Sequence, residues 1–373
     1  MPRRFLIAPD KFKGSLSALQ AAEAIAAGIR KREPDAEIEL CPIADGGEGF
    51  METLKVAMIG SWVTCPALDP LGRPIDSRYV IANSPDGPVA VIEMAETSGL
   101  RRLAPSERDP SRSTTRGTGM QMVDAIRNHH AVRIILGIGG SATNDGGSGM
   151  AAALGVEFLD AERNLLDPLP FRLAGVAEIF MGNRIVLPEI IAACDVENPL
   201  LGANGATEIF SAQKGATAET KYSLEIALTH LVRISNGFAS ANIPGAGAAG
   251  GLGFGLLHFA GARLVSGFDL VAGLLGLDDR VAKADVVITG EGSLDRQSLL
   301  GKGPVALAML TKKHGKPVVG YCGVADQAVR KSGIFTSLHA LADSGQPLET
   351  LIRDAGPLLE EMVRDAPLPS KET

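Results

Sequence analysis

Short continuous apolar runs alternate along this chain with stretches whose apolar residues recur at helical intervals. Phe5-Leu-Ile-Ala8 has the length of a strand, and Ala18 to Arg32 carries the helical spacing. Ser17 and Gln20 match a capping box at the start of that helix. Ile38 to Ile43 reads as the next strand, and the loop Ala44-Asp-Gly-Gly-Glu-Gly49 runs into a further helix. From about Val63 to Glu96 the texture changes. Pro66, Asp69-Pro70, Gly72-Arg-Pro74 and Ser84-Pro-Asp-Gly-Pro88 punctuate runs such as Tyr79–Ala82 and Val89–Ile92, a spacing that predicts antiparallel hairpins. A helix over Thr118–Ile126 and a strand over Val132–Gly137 restore the regular alternation. Ile190–Cys194, Ala284–Thr289 and Pro317–Tyr321 read as three more buried strands. The tail after Asp365, with Pro367, Pro369 and Lys371, reads as frayed.

This order of elements predicts an α/β protein with two unlike α/β domains. One is a Rossmann/flavodoxin-like parallel sheet, assembled from residues 1–62 with 108–185 and 280–373. The other is an inserted mixed-sheet domain, residues 63–107 with 186–279. The active site is expected in the cleft between them. The length of 373 residues agrees with two domains, because single cores stop growing near ~250–300 residues.

Composition narrows the function. A hydrophobic fraction of 45% and a charged fraction of 21% exclude a disordered chain. A net charge of −7 and only 4% aromatic residues argue against nucleic acid and against an anionic membrane surface. The four cysteines, Cys41, Cys65, Cys194 and Cys322, form no C-x-x-C pair and are expected to be reduced and mostly buried. The N-terminal apolar run of four residues falls short of the ~7–15 of a leader. The long uncharged stretch from Ile234 to Ala262 is too rich in Gly, Asn and Ser, and contains Pro244, to read as a membrane span. The expected location is the cytoplasm.

The 44 glycines exceed the usual ~7% of residues, and many fall in loops that follow predicted strands. Five such loops also hold hydroxyls, amides or carboxylates. They are Ala8–Ser15, Pro42–Gly49, Gly137–Gly149, Ala193–Pro199 and Thr289–Asp295. Open α/β sheets bind ligands beyond the carboxyl ends of their strands, and glycine lets a ligand approach the main chain. Carboxylates in the same loops supply the hard oxygens that Mg²⁺ prefers. Phosphate chemistry with Mg²⁺ is therefore the expected class, although a lone Gly-rich loop is more often a tight turn. The loop Gly137–Gly149 stands apart, with six glycines in thirteen positions. Two other motifs fail on context. Gly245–Gly250 fits G-x-G-x-x-G but follows a poor strand, so a helix entry packed on its glycines is the better reading. Leu300-Gly-Lys302 lacks the leading Gly and the final Ser/Thr of a P-loop. The six histidines lie outside all these loops and are assigned no chemistry.

Loop chemistry then gives roles. Asp195, Asp45 and Lys13 are the catalytic candidates. Asp195 follows a buried strand and is placed to take a hydroxyl proton, with Glu197 two residues on. Lys13, Lys214 and Lys302 are candidate cations for developing negative charge. Substrate and phosphate contacts are expected from Lys11, Ser15, Gly46, Gly47, Gly139, Gly140, Ser141, Thr143, Asn144, Lys214, Gly290 and Glu291. Asp45, Glu48 and Asp195 are the candidate Mg²⁺ ligands.

Seven segments taken together resemble the bacterial glycerate kinases of the type-I class. They are Pro9–Ala18, Ala44–Gly49, Gly137–Met150, Ala193–Leu200, Gln213–Ala216, Pro244–Gly251 and Ile288–Asp295. The resemblance spans nearly the whole chain, in order. It implies ATP-dependent phosphorylation of D-glycerate with Mg²⁺, favouring the 2-phospho product. A 3-phospho product, or a kinase for a related small hydroxy acid, is the alternative. An NAD-dependent oxidoreductase and a non-catalytic anion-binding protein are distant ones. The implied partners are small molecules, glycerate and ATP, with no nucleic acid and no membrane, and a homo-oligomer is left open. Arg116, Ser293-Leu294 and Arg296 depart from the pattern and bear on fine substrate contacts.

Overall fold

A computed structural model describes residues 2–296, 298–301 and 303–369. Lys302 and Lys371, named above, lie outside the described residues. In chain order the strands are β1 (Arg4–Ile7), β2 (Glu37–Leu40), β3 (Ser61–Leu68), β4 (Pro74–Ser84), β5 (Gly87–Glu93), β6 (Arg133–Gly137), β7 (Glu157–Leu159), β8 (Glu178–Phe180), β9 (Glu189–Ala193), β10 (Arg263–Val265), β11 (Val286–Thr289), β12 (Ser293–Leu294), β13 (Val318–Cys322), β14 (Val324–Ala325) and β15 (Ser337–Ala340). Contacts divide the chain into two units. The first is Met1–Asp45 with Phe268–Thr373, and the second is Gly46–Gly267.

The first unit is built on a five-stranded sheet of order β15-β13-β11-β1-β2 in which every pairing is parallel. The inner strands β1, β11 and β13 are short, almost wholly apolar and buried, as the interior of a parallel sheet requires, whereas the edge strand β2 alternates exposed glutamates with apolar residues. The helix Ala18–Arg32 begins where expected. The Ser17 hydroxyl accepts from the Gln20 N–H, and the Gln20 side chain accepts from the Ser17 N–H at 2.9 Å. Its buried face, Ala21, Ala22, Ile25, Ala26 and Ile29, packs with Phe5, Ile7, Leu359 and Val363 in one core. Gly28 lets the helix Ala355–Asp365 come close, since a Cβ there would lie 2.6 Å from the Glu360 carbonyl oxygen. The segment after Asp365 is tied down and not frayed as far as it is described. Arg32 donates to the Ala366 carbonyl, Arg3 donates to the Pro369 carbonyl at 2.6 Å, and Leu368 packs on the core.

The second unit carries a six-stranded mixed sheet of order β10-β9-β6-β5-β4-β3. β3, β4 and β5 form the antiparallel meander that the Pro/Gly punctuation predicts, and β5, β6, β9 and β10 run parallel. Two small ladders, β7 with β8 and β12 with β14, stand outside the large sheets. Helices close over a core of Phe158, Leu228, Leu231, Phe254 and Phe259.

The unit boundaries differ from those expected. Residues 46–62 and 108–185 belong with the mixed sheet, and 268–279 with the parallel one. The reason lies in β6, which was expected in the parallel domain. It hydrogen-bonds between β5 and β9, with Val91 and Ile191 opposite Ile135. A buried apolar run has the same signature in either sheet, so its neighbours cannot be read from periodicity. The cysteines are free as expected. Cys41, Cys65 and Cys322 are buried and Cys194 is half-buried. No helix among the described residues is long and apolar enough to cross a membrane.

Gly28→Ala tests the helix contact in the first unit. Alanine is the better helix former by ~1 kcal/mol, but the added methyl meets backbone and Val363, and overpacking costs about 1–3 kcal/mol. The expected outcome is a lower urea midpoint for the variant. A midpoint at or above the wild-type value would mean that the two helices separate freely.

Candidate functional site

In the first unit the strand order changes direction between β1 and β11. The chain steps from β1 outward to β2 on one side, and from β11 through β13 to β15 on the other. Ligand crevices form beyond the carboxyl ends of strands at such a switch point. Two carboxylates sit there. Asp10 follows β1, is only 4% exposed, and its N–H donates to the Gly290 carbonyl at 2.8 Å. Glu291 follows β11, is half-buried, and accepts from the Ser298 hydroxyl at 2.9 Å. Gly290 between them admits no side chain, because a Cβ would lie 1.5 Å from the Tyr321 carbonyl oxygen.

The two groups share an electrostatic environment with Asp45. Burial pushes Asp10 up to about 6, Lys11 opposes the rise and Asp45 adds to it. Burial pushes Glu291 up to about 7, and the charges of Asp10 and Asp45 push the same way. The Lys11 ammonium lies 3.7 Å from the Asp10 carboxylate, and the Lys11 N–H donates to it at 2.6 Å. Lys11, Asp45, Gly290 and Glu291 are thus gathered around Asp10, a residue the sequence reading passed over. The available signal was its place directly after an apolar strand. Lys13 is exposed on the same loop, and Ser15 turns its hydroxyl back to the Phe12 carbonyl at 3.0 Å.

In the second unit the carboxyl ends of β5, β6 and β9 lie side by side, with Glu93, Gly137 and Ala193 in register. The segment from Gly46 crosses over them. A Cβ on Gly46 would lie 2.8 Å from the Ala193 side chain, and one on Gly139 would lie 2.7 Å from the Gly47 Cα. The Gly139 N–H donates to the Gly46 carbonyl at 3.2 Å. Gly140 is exposed, Gly139 and Gly47 are half-buried, and Glu48 is exposed. Asp195 is half-buried just past β9, where its Oδ1 accepts from the Gly267 N–H at 2.8 Å.

The rest of the long glycine loop is interior. Ser141, Thr143, Asn144 and Asp145 are all buried. Asp145 accepts from the Thr115 N–H and hydroxyl at 2.7 and 2.8 Å and from the N–H groups of Gly147 and Gly149 at 3.0 and 3.2 Å. Lys214, 1% exposed, donates to the Thr143 carbonyl at 2.7 Å. Asn144 donates to the Thr207 hydroxyl at 3.2 Å, while its buried Oδ1 has no partner among the described residues. The sequence reading placed Thr143, Asn144 and Lys214 at the ligand; in the structure all three are buried, with Lys214 bonded to the Thr143 carbonyl. Glycines of 245–255 pack on the same loop. A Cβ on Gly250 would lie 1.9 Å from the Thr143 carbonyl oxygen, and one on Gly255 would lie 2.7 Å from the Gly147 Cα. Close packing accounts for that motif.

No group of three His, Cys, Asp or Glu among the described residues is arranged to hold a metal ion. Mg²⁺ that arrives on substrate phosphates needs only one or two carboxylates.

A family model described as the glycerate kinase family matches residues 5–367. A glycerate kinase of Halalkalibacterium halodurans is 42% identical over 338 residues, covering 88% of this chain and 88% of that protein. A glycerate 2-kinase of Escherichia coli is 42% identical over 330 residues, covering 86% and 85%. A solved structure described as glycerate kinase 2 from Salmonella typhimurium LT2 matches with a TM-score of 0.82 at 37% identity, covering 98% of this chain and 97% of that one.

Lys214 gives the site a pH signature. Burial pushes its ammonium down to about 7, with the charge of Asp145 opposing the fall. Between about pH 7 and 10 the unfolded chain keeps this proton and the folded chain does not, so this group makes stability rise with pH. Below about pH 7 both states hold the proton and the contribution is flat. Lys214→Met should lack that rise. In urea unfolding, wild type should gain stability relative to the variant as pH goes from about 7 to about 9.5. A difference that stays constant over that range would show that the lysine is not buried as described.

Proposed function

The chain belongs to the glycerate kinase family, and from that premise we propose that it transfers the terminal phosphoryl group of ATP to the 2-hydroxyl of D-glycerate, with Mg²⁺. The observation that carries this reading to particular residues is the Asp10–Glu291 pair at the switch point of the parallel sheet, with Lys11 beside it.

Phosphoryl transfer asks a protein mainly to position reactants and to offset charge. Burial pushes the Glu291 carboxyl up to about 7, which brings its protonated form within reach near neutral pH. It can then donate to a phosphate oxygen where an ionised group would repel it. Lys11 and the exposed Lys13 add positive charge on the same loop. In the second unit the turns at Gly46–Gly47 and Gly139–Gly140 let an anionic group approach bare main chain. We assign Ser141, Thr143, Asn144 and Lys214 to holding that turn rather than to touching substrate. Ser15 is assigned to the turn of the entry loop.

Mg²⁺ would come in on the triphosphate, where it draws charge from the transferred group. Asp45 and Glu48 are the carboxylates we assign to it, and Asp195 to the glycerate hydroxyl proton. The Gly267 N–H fixes the Asp195 carboxylate from one side, which sets the direction in which it can accept.

The test is turnover of ATP with D-glycerate, read as ADP release, with the product identified by ³¹P NMR. The expected product is 2-phosphoglycerate. 3-Phosphoglycerate would overturn the regiochemistry, and absence of glycerate-dependent ADP release would overturn the reading as a whole. Asp195→Asn should lower kcat by about 10²-fold or more with an unchanged urea midpoint, the range general-base removal spans. Near-normal turnover in that variant would remove Asp195 from the mechanism.

A further inference from the structure

We propose that Glu93 is a positioning residue for this reaction, holding the segment Gly46–Met51 across the strand ends of the second unit through the Met51 N–H. The proposal rests on the kinase reading for its consequence in catalysis, and on geometry alone for the contact.

Glu93 is the last residue of β5 and is 2% exposed. Its Oε1 accepts from the Met51 N–H at 2.9 Å. Met51 lies in the first turn of the helix Phe50–Ala57, whose cap residue Gly49 is left-handed at φ 89° and supplies no side-chain cap. The first N–H groups of a helix have no partner within it. Glu93 therefore caps this helix from a distant strand. Gly137, its register partner on β6, would meet the Gly46 carbonyl oxygen at 2.6 Å if it carried a Cβ. Ala193 on β9 underlies Gly46, and Gly139 underlies Gly47. The segment is thus seated by close contact on β6 and β9 at one end, and by a directional hydrogen bond to β5 at the other. Between those two anchors lie Gly47 and Glu48, both given roles above.

An ordinary structural carboxylate would be recognisable by a strong ion pair. Among the described residues Glu93 has only a distant one, with Arg101 at 3.5 Å. Arg101 has better partners, bonding Glu96 and the Ala95 carbonyl, and Glu96 also pairs with Arg102 at 2.9 Å. Burying a carboxyl is costly, and burial pushes Glu93 up to about 7. The return visible for that cost is its reach to Met51.

Two conservative variants separate reach from charge. Glu93→Gln keeps the length and an acceptor oxygen but loses the charge. Glu93→Asp keeps the charge but is one methylene short. If the acceptor at that distance is what matters, Glu93→Gln keeps kcat/KM for D-glycerate within about threefold, and Glu93→Asp loses about tenfold or more. The loss should be accompanied by faster amide hydrogen exchange over residues 46–51, at a temperature where both variants are folded by near-UV circular dichroism. Wild-type-like kinetics and exchange in both variants would overturn the proposal. So would an impaired or unfolded Glu93→Gln beside a healthy Glu93→Asp. If wild type itself fails to phosphorylate glycerate, the kinase reading falls, and the exchange measurement still decides whether Glu93 holds the segment.

Discussion

Main chain packed directly on main chain is the constraint from which the second unit is organised. Gly46 and Gly47 lie on Ala193 and Gly139, Gly250 on Thr143, and Gly255 on Gly147. At each contact a single Cβ would occupy space already held by a neighbour. The high glycine content is therefore concentrated in layers of backbone that touch. A turn built this way has almost no free volume in which to shift. That rigidity is what a reaction depending on positioning requires, and it comes from the absence of side chains.

Such a stack leaves polar main-chain groups in the interior, and the buried charges answer them. Asp145 takes two N–H groups of the loop itself as well as both donors of Thr115, and Lys214 takes the Thr143 carbonyl. Each is strained electrostatically by burial, in opposite directions. A carboxylate is a stronger acceptor than a neutral group, which favours Asp145 where a loop must be held by few contacts. The first unit uses charge differently. Its Asp10 and Glu291 are deprived of water just past β1 and β11, and burial raises their proton affinities to about 6 and about 7.

Much of this was legible in the residues. The helix Ala18–Arg32 was readable to the residue because Ser17 and Gln20 mark its start and apolar residues recur at helical spacing to Arg32. The hairpins from Val63 onward announced themselves through proline and glycine. The glycerate kinase resemblance rested on whole segments, and it agrees with the family match. Two things were not legible. Which sheet β6 joins depends on long-range pairing that leaves no local trace. Which polar residues of Gly137–Gly149 face inward was also hidden, because Ser, Thr, Asn and Asp are ordinarily surface residues. Asp10 and Glu93 were missed for a related reason, since a carboxylate at the end of an apolar strand looks like the first residue of a solvated loop.

The parallel sheet of the first unit joins the two extremes of the chain. β1 lies between β2, made soon after it, and β11, where Phe5 meets Val286 and the Thr289 hydroxyl reaches Ala8 from 281 residues away. On a ribosome elongating at roughly 5–20 residues per second, one side of β1 goes without its neighbour for on the order of tens of seconds. Throughout that interval the whole of Gly46–Gly267 emerges and can fold. The newborn protein thus carries an open apolar strand edge on β1 until synthesis delivers β11.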